Sequence, residues 1–145
     1  MNLTGHWKGT YTYGRGYPKN LIGESEPFEF VINEVNGLFT GTCIDNVVKE
    51  KQGNESFIEG DFKAKKIRFK KKYKYHLALD ESNSLVQQDD IKSDGVDYAG
   101  RLYRKFFFGK RYFSGQWRII TTYKENNRIR TYTCGGRWRM NKVNY

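Results

Sequence analysis

The feature that most constrains this chain is a recurring strand motif: an apolar residue, any residue, a glycine, any residue and a tryptophan. It stands at Leu3–Trp7, Phe113–Trp117 and Cys134–Trp138, and its shorter apolar-x-Gly form recurs at 39–41, 58–60 and 98–100. In a β-strand, residues two apart lie on the same face, so each motif places its apolar residue, glycine and tryptophan together. Repeated glycine on a buried face favours sharp bending, which predicts strands that curve around a closed interior.

The aromatic content shows how such a chain builds a core although only 37% of its residues are hydrophobic. Its 24 Phe, Trp and Tyr residues favour strands and bury a large apolar area. A length of 145 residues predicts one domain, 1–145. We see no transmembrane run and no signal peptide, and we expect Cys43 and Cys134 to be buried thiols of a cytoplasmic protein. Removal of a natural leader and the oligomeric state stay open.

Alternating apolar and polar residues, interrupted by turn signals, predict an all-β fold of eight antiparallel strands joined as an up-and-down barrel. Asn36-Gly37 is the strongest hairpin signal. The Gly- and Pro-rich stretch 14–27 is either a lid over a barrel end or a loose loop, and 80–95 holds a short helix, a strand extension or a long hairpin loop. We expect the strands at 4–13, 27–35, 38–45, 56–63, 67–77, 96–105, 111–124 and 128–140.

Gly5-His6-Trp7 on the first strand, followed by a meander of this length, resembles the calycin superfamily, which comprises lipocalins, cytosolic fatty-acid-binding proteins and avidins. Leu3–Lys8 is similar to the opening of fatty-acid-binding proteins, and Leu38–Thr42 to the second hairpin of avidins. The resemblance implies a calycin-like barrel that binds a small ligand.

The resemblance also implies structural roles at one barrel end. In that superfamily the tryptophan plugs the closed end, which gives this role to Trp7 and its neighbour Gly5. A basic residue of the last strand stacks over the indole, and the resemblance assigns this to Arg137 or Arg139. A planar guanidinium suits such stacking, because it also donates hydrogen bonds to carbonyl groups at the strand ends.

A ligand anchor is implied on the last strand. Fatty-acid-binding proteins hold a carboxylate with an Arg-x-Tyr pair, and Arg130-Thr131-Tyr132 has that spacing. Residues two apart share a face, so both side chains point into the barrel. The alternative is that the strand twists or bulges at Gly135-Gly136 and leaves Arg130 on the surface.

Lys71 is the unusual residue of the fifth predicted strand. Strand phase places it inward between Phe69 and Tyr73, where an unpaired ammonium would be costly. It therefore reaches a barrel end, is rotated out by a bulge, or meets an anionic group inside.

These patterns predict non-catalytic binding of a small apolar or amphipathic ligand, with an anionic ligand as one form of the hypothesis. The predicted polar anchors are Arg130, Tyr132 and Lys71. The aromatic residues predicted to line the pocket are Tyr11, Phe28, Phe30, Phe69, Tyr73 and Trp117.

The basic segment 63–76 supports an alternative function. It contains eight Lys and Arg residues and no acid, whereas the rest of the chain carries 18 basic and 16 acidic residues. Its outward face would bind a polyanion, either nucleic acid or an acidic membrane surface. The aromatics face the other way, which disfavours base stacking, and the simpler interpretation is a solvated face whose lysines are partly paired with acids on neighbouring strands. The stripe consists of Arg68, Lys70, Lys72 and Lys74.

The sequence gives little support for an enzyme, a metal site or a cofactor. Nothing places His76 together with Asp80 and a serine, and two scattered histidines and two cysteines do not form a zinc-binding set. Gly5–Gly9 followed by Gly14–Pro18 faintly resembles nitrobindin, a haem-binding barrel whose ligating histidine lies near the C-terminus. Because no histidine follows His76, we expect no haem, and we predict no catalysis and no metal.

Overall fold

The structure, a computed structural model, describes residues 1–45, 56–73, 76–79, 85–88, 95–107 and 109–144. Within these ranges the regular elements are strands, which confirms the all-β fold class. The same ranges hold no helix that could cross a bilayer. The predictions made for Lys74 and for most of 80–95 lie outside the described residues.

Eight of the strands form a closed antiparallel barrel, as predicted. Consecutive barrel strands pair along the chain, and the first strand pairs with the last to close the sheet. The barrel comprises every strand except the sixth and seventh. The ten described strands are β1 (Gly5–Tyr13), β2 (Ser25–Val35), β3 (Leu38–Asp45), β4 (Ser56–Lys63), β5 (Lys66–Tyr73), β6 (His76–Leu79), β7 (Leu85–Gln88), β8 (Val96–Arg104), β9 (Arg111–Glu125) and β10 (Arg128–Lys142).

The two short strands β6 and β7 form an antiparallel hairpin beside the barrel. β6 runs parallel to β9, with Ala78 opposite Thr122 and Leu79 opposite Tyr123. This part of β9 lies beyond its pairing with β8, which ends at the register of Val96 with Ile119. For 80–95 the sequence predicts a short helix, a strand extension or a long hairpin loop. The described residues Leu85–Gln88 form one strand of this hairpin.

The two ends of the barrel differ in how their strands are connected. At the end where β1 begins, here called the Trp7 end, two-residue turns at Asn36-Gly37 and Ala64-Lys65 join β2 to β3 and β4 to β5. All four turn residues have positive φ, the geometry that matches strand twist, so the predicted Asn-Gly hairpin is confirmed. At the opposite end, here called the Lys71 end, β1 connects to β2 through the longer segment 14–24.

The barrel interior follows the strand phase predicted from the sequence. In β1, Trp7, Tyr11 and Tyr13 are buried while Lys8 is exposed, and β2 to β5 alternate in the same way. The buried side chains form one continuous cluster that runs from Leu3 to Met140. A core this rich in aromatic rings explains how a chain of low mean hydropathy folds.

Two of the recurring motifs interlock on neighbouring strands. Trp117 of β9 lies opposite Gly136 of β10, and Trp138 lies opposite Gly115. A Cβ atom on Gly136 would lie 2.8 Å from Trp117 Nε1, and one on Gly100 of β8 would lie 2.7 Å from Trp138 Cζ2, so these two glycines make room for the two indoles. The indole nitrogens donate to strand carbonyls, Trp117 to Thr12 and Trp138 to Gln116. The motif therefore packs large rings against bare backbone inside the barrel.

Candidate functional site

Lys71 is the chemically distinctive residue of the barrel interior. It is only 2% exposed, and β5 keeps an unbroken register with β4 and β8 around it, so no bulge rotates it outward. Its ammonium nitrogen lies 4.9 Å from the ring centroid of Tyr11, 5.0 Å from that of Tyr73 and 5.6 Å from that of Tyr98. Cation–π attraction at such distances stabilises a buried ammonium by about 0.5–2 kcal/mol per ring. The predicted inward position is correct.

Polar groups accompany the tyrosines at the Lys71 end. Ser56 is 3% exposed and donates a hydrogen bond to the carbonyl oxygen of Cys43 at 2.9 Å. Cys43 and Cys134 are both buried and form no disulfide. Within the described residues, no group of three His, Cys, Asp or Glu residues is arranged to hold a metal ion. The inner wall at this end is therefore aromatic but mixed in polarity.

The segment 14–24 is anchored over part of the Lys71 end. Its backbone bonds to the barrel, with Gly14 donating to Gly135, Gly135 donating to Arg15 and Gly23 donating to Tyr13. These bonds hold Tyr17 in the barrel opening, where it is 8% exposed. Of the predicted stretch 14–27, residues 25–27 belong to β2, and 14–24 is hydrogen-bonded to the barrel; its role as a lid stays a prediction.

Tyr17 closes the aromatic cluster from above. Its ring centroid lies 4.8 Å from that of Tyr13 and 5.8 Å from that of Trp117. Burial, followed by the neighbouring Cys134, raises the pKa of the Tyr17 phenol far above its ordinary value. The phenol consequently stays neutral, and it places one hydroxyl group among the rings.

Aromatic rings contact one another inside the barrel below Lys71. Phe28 lies 4.5 Å from Phe30 between centroids, Phe30 lies 5.5 Å from Phe69, and Phe69 lies 5.4 Å from Trp138. Phe28, Phe30 and Phe69, which the sequence predicts as pocket-lining residues, therefore contact one another inside the barrel, and their role in a pocket stays a prediction. Tyr11, Tyr73 and Trp117, from the same prediction, lie higher and contribute to the Lys71 end.

The placement of Arg130 also corrects the sequence prediction. Its side chain is 55% exposed and pairs with Glu125 at 3.1 Å. The register of β9 with β10 is continuous, so no bulge is responsible. β10 pairs with β1 only from Gly136 onward, and the remaining hairpin extends past the barrel rim. Arg130 therefore has the predicted strand phase but lies outside the part of β10 that pairs with β1. Tyr132 is partly buried and packs against the core.

The Trp7 end is sealed largely as the resemblance implies, but by a different cation. The Trp7 indole donates a hydrogen bond to the carbonyl oxygen of Leu3 at 2.7 Å, and the Lys142 nitrogen lies 6.0 Å from the Trp7 ring. Arg137 and Arg139 are exposed, because they alternate with the inward residues of β10. Arg139 instead stacks outside on Tyr112 at 3.8 Å. The predicted stacking of Arg137 or Arg139 on Trp7 is thus wrong.

Gly5, the neighbour of Trp7 in this prediction, has a φ of 135°. A Cβ there would lie 2.8 Å from Lys142 Cε, so the glycine makes room for that side chain. Its predicted structural role at the Trp7 end agrees with this position.

The basic stripe on β5 faces outward and is paired with acids. Each of its described residues has a carboxylate partner on a neighbouring strand. The pairs are Arg68 with Asp61 at 3.8 Å, Lys70 with Asp97 at 3.6 Å and Lys72 with Glu59 at 3.0 Å. Lys74 lies outside the described residues. The pairing reduces the charge that this stripe presents to a polyanion.

A positively charged groove lies next to the Tyr17 segment on the outer wall. It has a volume of about 570 Å3 and is lined by Arg15, Arg118 and Arg137 around the backbone of Gly135. All three arginines are exposed. The groove lies beside the rim of the Lys71 end, where its potential would attract anions.

Two residues of the site were not predicted from the sequence. Tyr98 completes the ring cluster around Lys71, and the signal for it was the Tyr98-Ala99-Gly100 echo, which places Tyr98 inward. Tyr17 comes from a connecting segment whose composition gives no indication of burial. Comparison of the chain with protein-family models, curated proteins and solved structures gave no significant match.

Proposed function

We propose that this protein is a non-catalytic binder of a small anionic amphipathic molecule, held at the Lys71 end of the barrel. The single observation that carries the proposal is the buried Lys71 ammonium among three tyrosine rings. The proposal extends to a calycin-like classification of the barrel and to a cytoplasmic location, which suits two buried cysteines without a disulfide.

The chemistry of the site suits a ligand with one charged group and an apolar body. A lysine ammonium forms charge-assisted hydrogen bonds with a carboxylate, sulfonate or phosphate, and these are about twice as strong as neutral ones. The phenol hydroxyls of the surrounding tyrosines supply further donors, and their ring faces pack against apolar groups. A neutral ligand would gain only the second contribution.

The packing of the interior restricts the size of the ligand. Because Phe28, Phe30 and Phe69 contact one another, the ligand does not reach the centre of the barrel. It occupies the rim, where Tyr17 now covers the rings of Tyr13 and Trp117. Binding therefore requires the Tyr17 side chain to move, and the arginine groove beside it attracts the anion.

Displacement of a fluorescent anionic naphthalene sulfonate tests the proposal. Fatty acids and the alcohols of the same chain length are the competitors, so that only the charge of the head group differs. We expect the acid to compete at least about tenfold better than the alcohol, the difference that one charge-assisted hydrogen bond provides. Lys71→Met should abolish this preference.

Lys70→Met is the matched control, because Lys70 neighbours Lys71 in sequence but faces outward toward Asp97. It should leave the preference for the acid intact. Equal competition by acid and alcohol in the wild type, or equal loss in both variants, contradicts the proposal. Tyr17→Ala should strengthen probe binding if this residue covers the site.

The alternative function, polyanion binding through 63–76, has weaker support. Its described outward cations are each paired with a carboxylate, which favours solvation of this face over recognition. Charge reversal at Lys70 and Lys72 tests it. Binding of nucleic acid or acidic vesicles that disappears in this variant would restore the alternative.

A further inference from the structure

The connection between β8 and β9 has an unusual composition. Arg104–Arg111 reads Arg-Lys-Phe-Phe-Phe-Gly-Lys-Arg, so three consecutive phenylalanines lie between two pairs of cations. No acidic residue occurs between Asp97 and Glu125. The segment therefore combines a concentrated apolar tip with a local excess of positive charge.

The structure places this tip in solvent at the Trp7 end. Phe106 is 94% exposed and Phe107 is 85% exposed, the largest values among the exposed large hydrophobic residues described. Their ring centroids lie 5.1 Å apart, edge to face, so they form one apolar point. Phe108 lies outside the described residues. Leaving two aromatic side chains in water has no structural benefit for the barrel, which indicates a partner.

Backbone hydrogen bonds give the tip a defined shape. Lys105 donates to the carbonyl of Lys110 at 2.8 Å, and Gly109 donates to the carbonyl of Lys105 at 3.1 Å. Gly109 has a φ of 60°, and the Arg104 guanidinium lies over it. The loop therefore closes at its base and projects Phe106 and Phe107 away from the barrel.

The flanks of the loop are suited to a polar boundary. Arg104, Lys105, Lys110 and Arg111 are all exposed, and none of them forms an ion pair within the described part of the chain. Behind them, the rings of Tyr103 and Tyr112 stack with centroids 5.5 Å apart. Aromatic rings with a polar atom, bordered by cations, favour the head-group region of a membrane.

We propose that the Arg104–Arg111 loop docks the barrel onto an anionic lipid surface. Phe106 and Phe107 enter the acyl boundary, and the four flanking cations contact anionic head groups. A stable protein interface buries roughly 1,000 Å2, and two side chains bury far less than that. A bilayer accepts a small convex tip of this kind, so a membrane is the better partner. Charge and apolar burial then act together, as membrane association by peripheral proteins requires.

This docking is independent of ligand binding at Lys71. The loop lies at the Trp7 end and the proposed ligand site at the opposite end, so the docked barrel directs its Lys71 end away from the membrane. Failure of one proposal therefore leaves the other unaffected. The loop is also distinct from the basic stripe of β5, whose described cations are paired.

Co-sedimentation with vesicles tests the docking. We expect the protein to bind phosphatidylcholine vesicles that contain phosphatidylserine, and to bind pure phosphatidylcholine at least about tenfold more weakly. Phe106→Ser with Phe107→Ser should weaken binding by about a hundredfold, given the apolar burial of two rings. Lys105→Glu with Lys110→Glu should weaken it by at least about tenfold at low salt, and this effect should vanish at high salt.

Matched controls separate the loop from general surface effects. Val35→Ser with Leu38→Ser removes two exposed apolar residues from the β2–β3 hairpin of the same end, and Lys19→Glu with Arg128→Glu reverses two exposed cations at the opposite end. Both controls should bind vesicles as the wild type does. Near-ultraviolet circular dichroism should show that all four variants fold normally.

Two results would overturn the docking proposal. The first is vesicle binding that survives both loop variants, and the second is an absence of vesicle binding by the wild type at low salt. If, in the second case, the Phe106 and Phe107 variant also loses self-association or single-stranded oligonucleotide binding, the rings belong to a protein or nucleic-acid contact.

Discussion

The two ends of the barrel are both closed by large aromatic side chains, but they differ in chemistry. At the Trp7 end the buried side chains, among them Leu3, Phe113 and Met140, are apolar, and the Trp7 nitrogen is satisfied by a backbone carbonyl. At the Lys71 end the rings are tyrosines, and they surround an ammonium group. The first end buries apolar side chains, whereas the second keeps polar groups buried at a cost in solvation.

This difference separates stability from recognition. An apolar end stabilises the barrel chiefly by burial. A tyrosine-rich end with a buried cation is less favourable for folding but is prepared for an anion, because its charge is already desolvated. The connection between β1 and β2 fits this division, since the backbone of 14–24 is hydrogen-bonded to the barrel at the Lys71 end.

Placing a cation at the apolar end, and removing the cation from the other end, should give the largest difference in stability. Met140→Lys places a cation in the apolar end, where Met140 is fully buried, and should lower the free energy of unfolding by at least about 3 kcal/mol. Urea denaturation measures the loss. Lys71→Met makes the converse change and should cost clearly less, so equal losses would remove the distinction between the ends.

Removing the indole hydrogen bonds at the two ends should give a smaller difference in stability. Trp7→Phe removes the 2.7 Å bond to the fully buried Leu3 and part of the ring, and should cost about 2 kcal/mol. Trp117→Phe removes the longer 3.2 Å bond to Thr12 and should cost about 1 kcal/mol. Thermal and urea unfolding of both variants measure the difference, and a larger loss for Trp117→Phe would reverse the expected order.

Tyr17 gives the Lys71 end a pH dependence that the Trp7 end lacks. Its pKa is raised by burial and by Cys134, so the stability from its neutral phenol is fully present below the unfolded value near 10.0 and is lost as the pH rises further. Stability should therefore fall less steeply at alkaline pH in Tyr17→Phe than in the wild type. Tyr103→Phe, which removes the hydroxyl of an exposed tyrosine, is the matched control.

Substitutions on the outer wall of the barrel should change the stability least. Glu29 lies 2.9 Å from His6 Nε2 and 3.6 Å from Lys8 Nζ, and the hydrogen bond from His6 lowers the pKa of its carboxyl below the usual range. The stabilisation is present above the unfolded pKa and is lost as the pH falls through the folded one. Glu29→Gln should be slightly less stable than the wild type at neutral pH and equal to it in acid. Glu24→Gln, which removes an exposed carboxylate, is the control.

The strand plan could be read from the sequence because it depends on local periodicity. The alternation around Trp7 and Lys71 fixed which face of each strand is buried, and Asn36-Gly37 fixed a turn. Arg130 shows where this reasoning stops. Phase tells which side of a strand a residue faces, but it does not tell how far along the barrel axis the residue lies, and Arg130 is beyond the rim.

Charge composition was a similarly partial guide. The segment 63–76 holds the highest density of cations, yet its described outward side chains are paired across β4 and β8. The Arg104–Arg111 loop has fewer cations but displays them beside two exposed rings. Counting charges along the chain does not show which have acidic neighbours, because those neighbours come from other strands.

By itself, the sequence determined that this chain forms a closed antiparallel barrel with aromatic residues inside, since side-chain alternation and turn geometry are local properties. Only the tertiary structure decided which aromatic rings contact one another inside the barrel, that Lys142 rather than Arg139 covers Trp7, and that Tyr98 and Tyr17 join the rings at the Lys71 end. These outcomes depend on strand register and on the height at which each strand meets the barrel rim. Both are set by pairing between residues far apart in the chain.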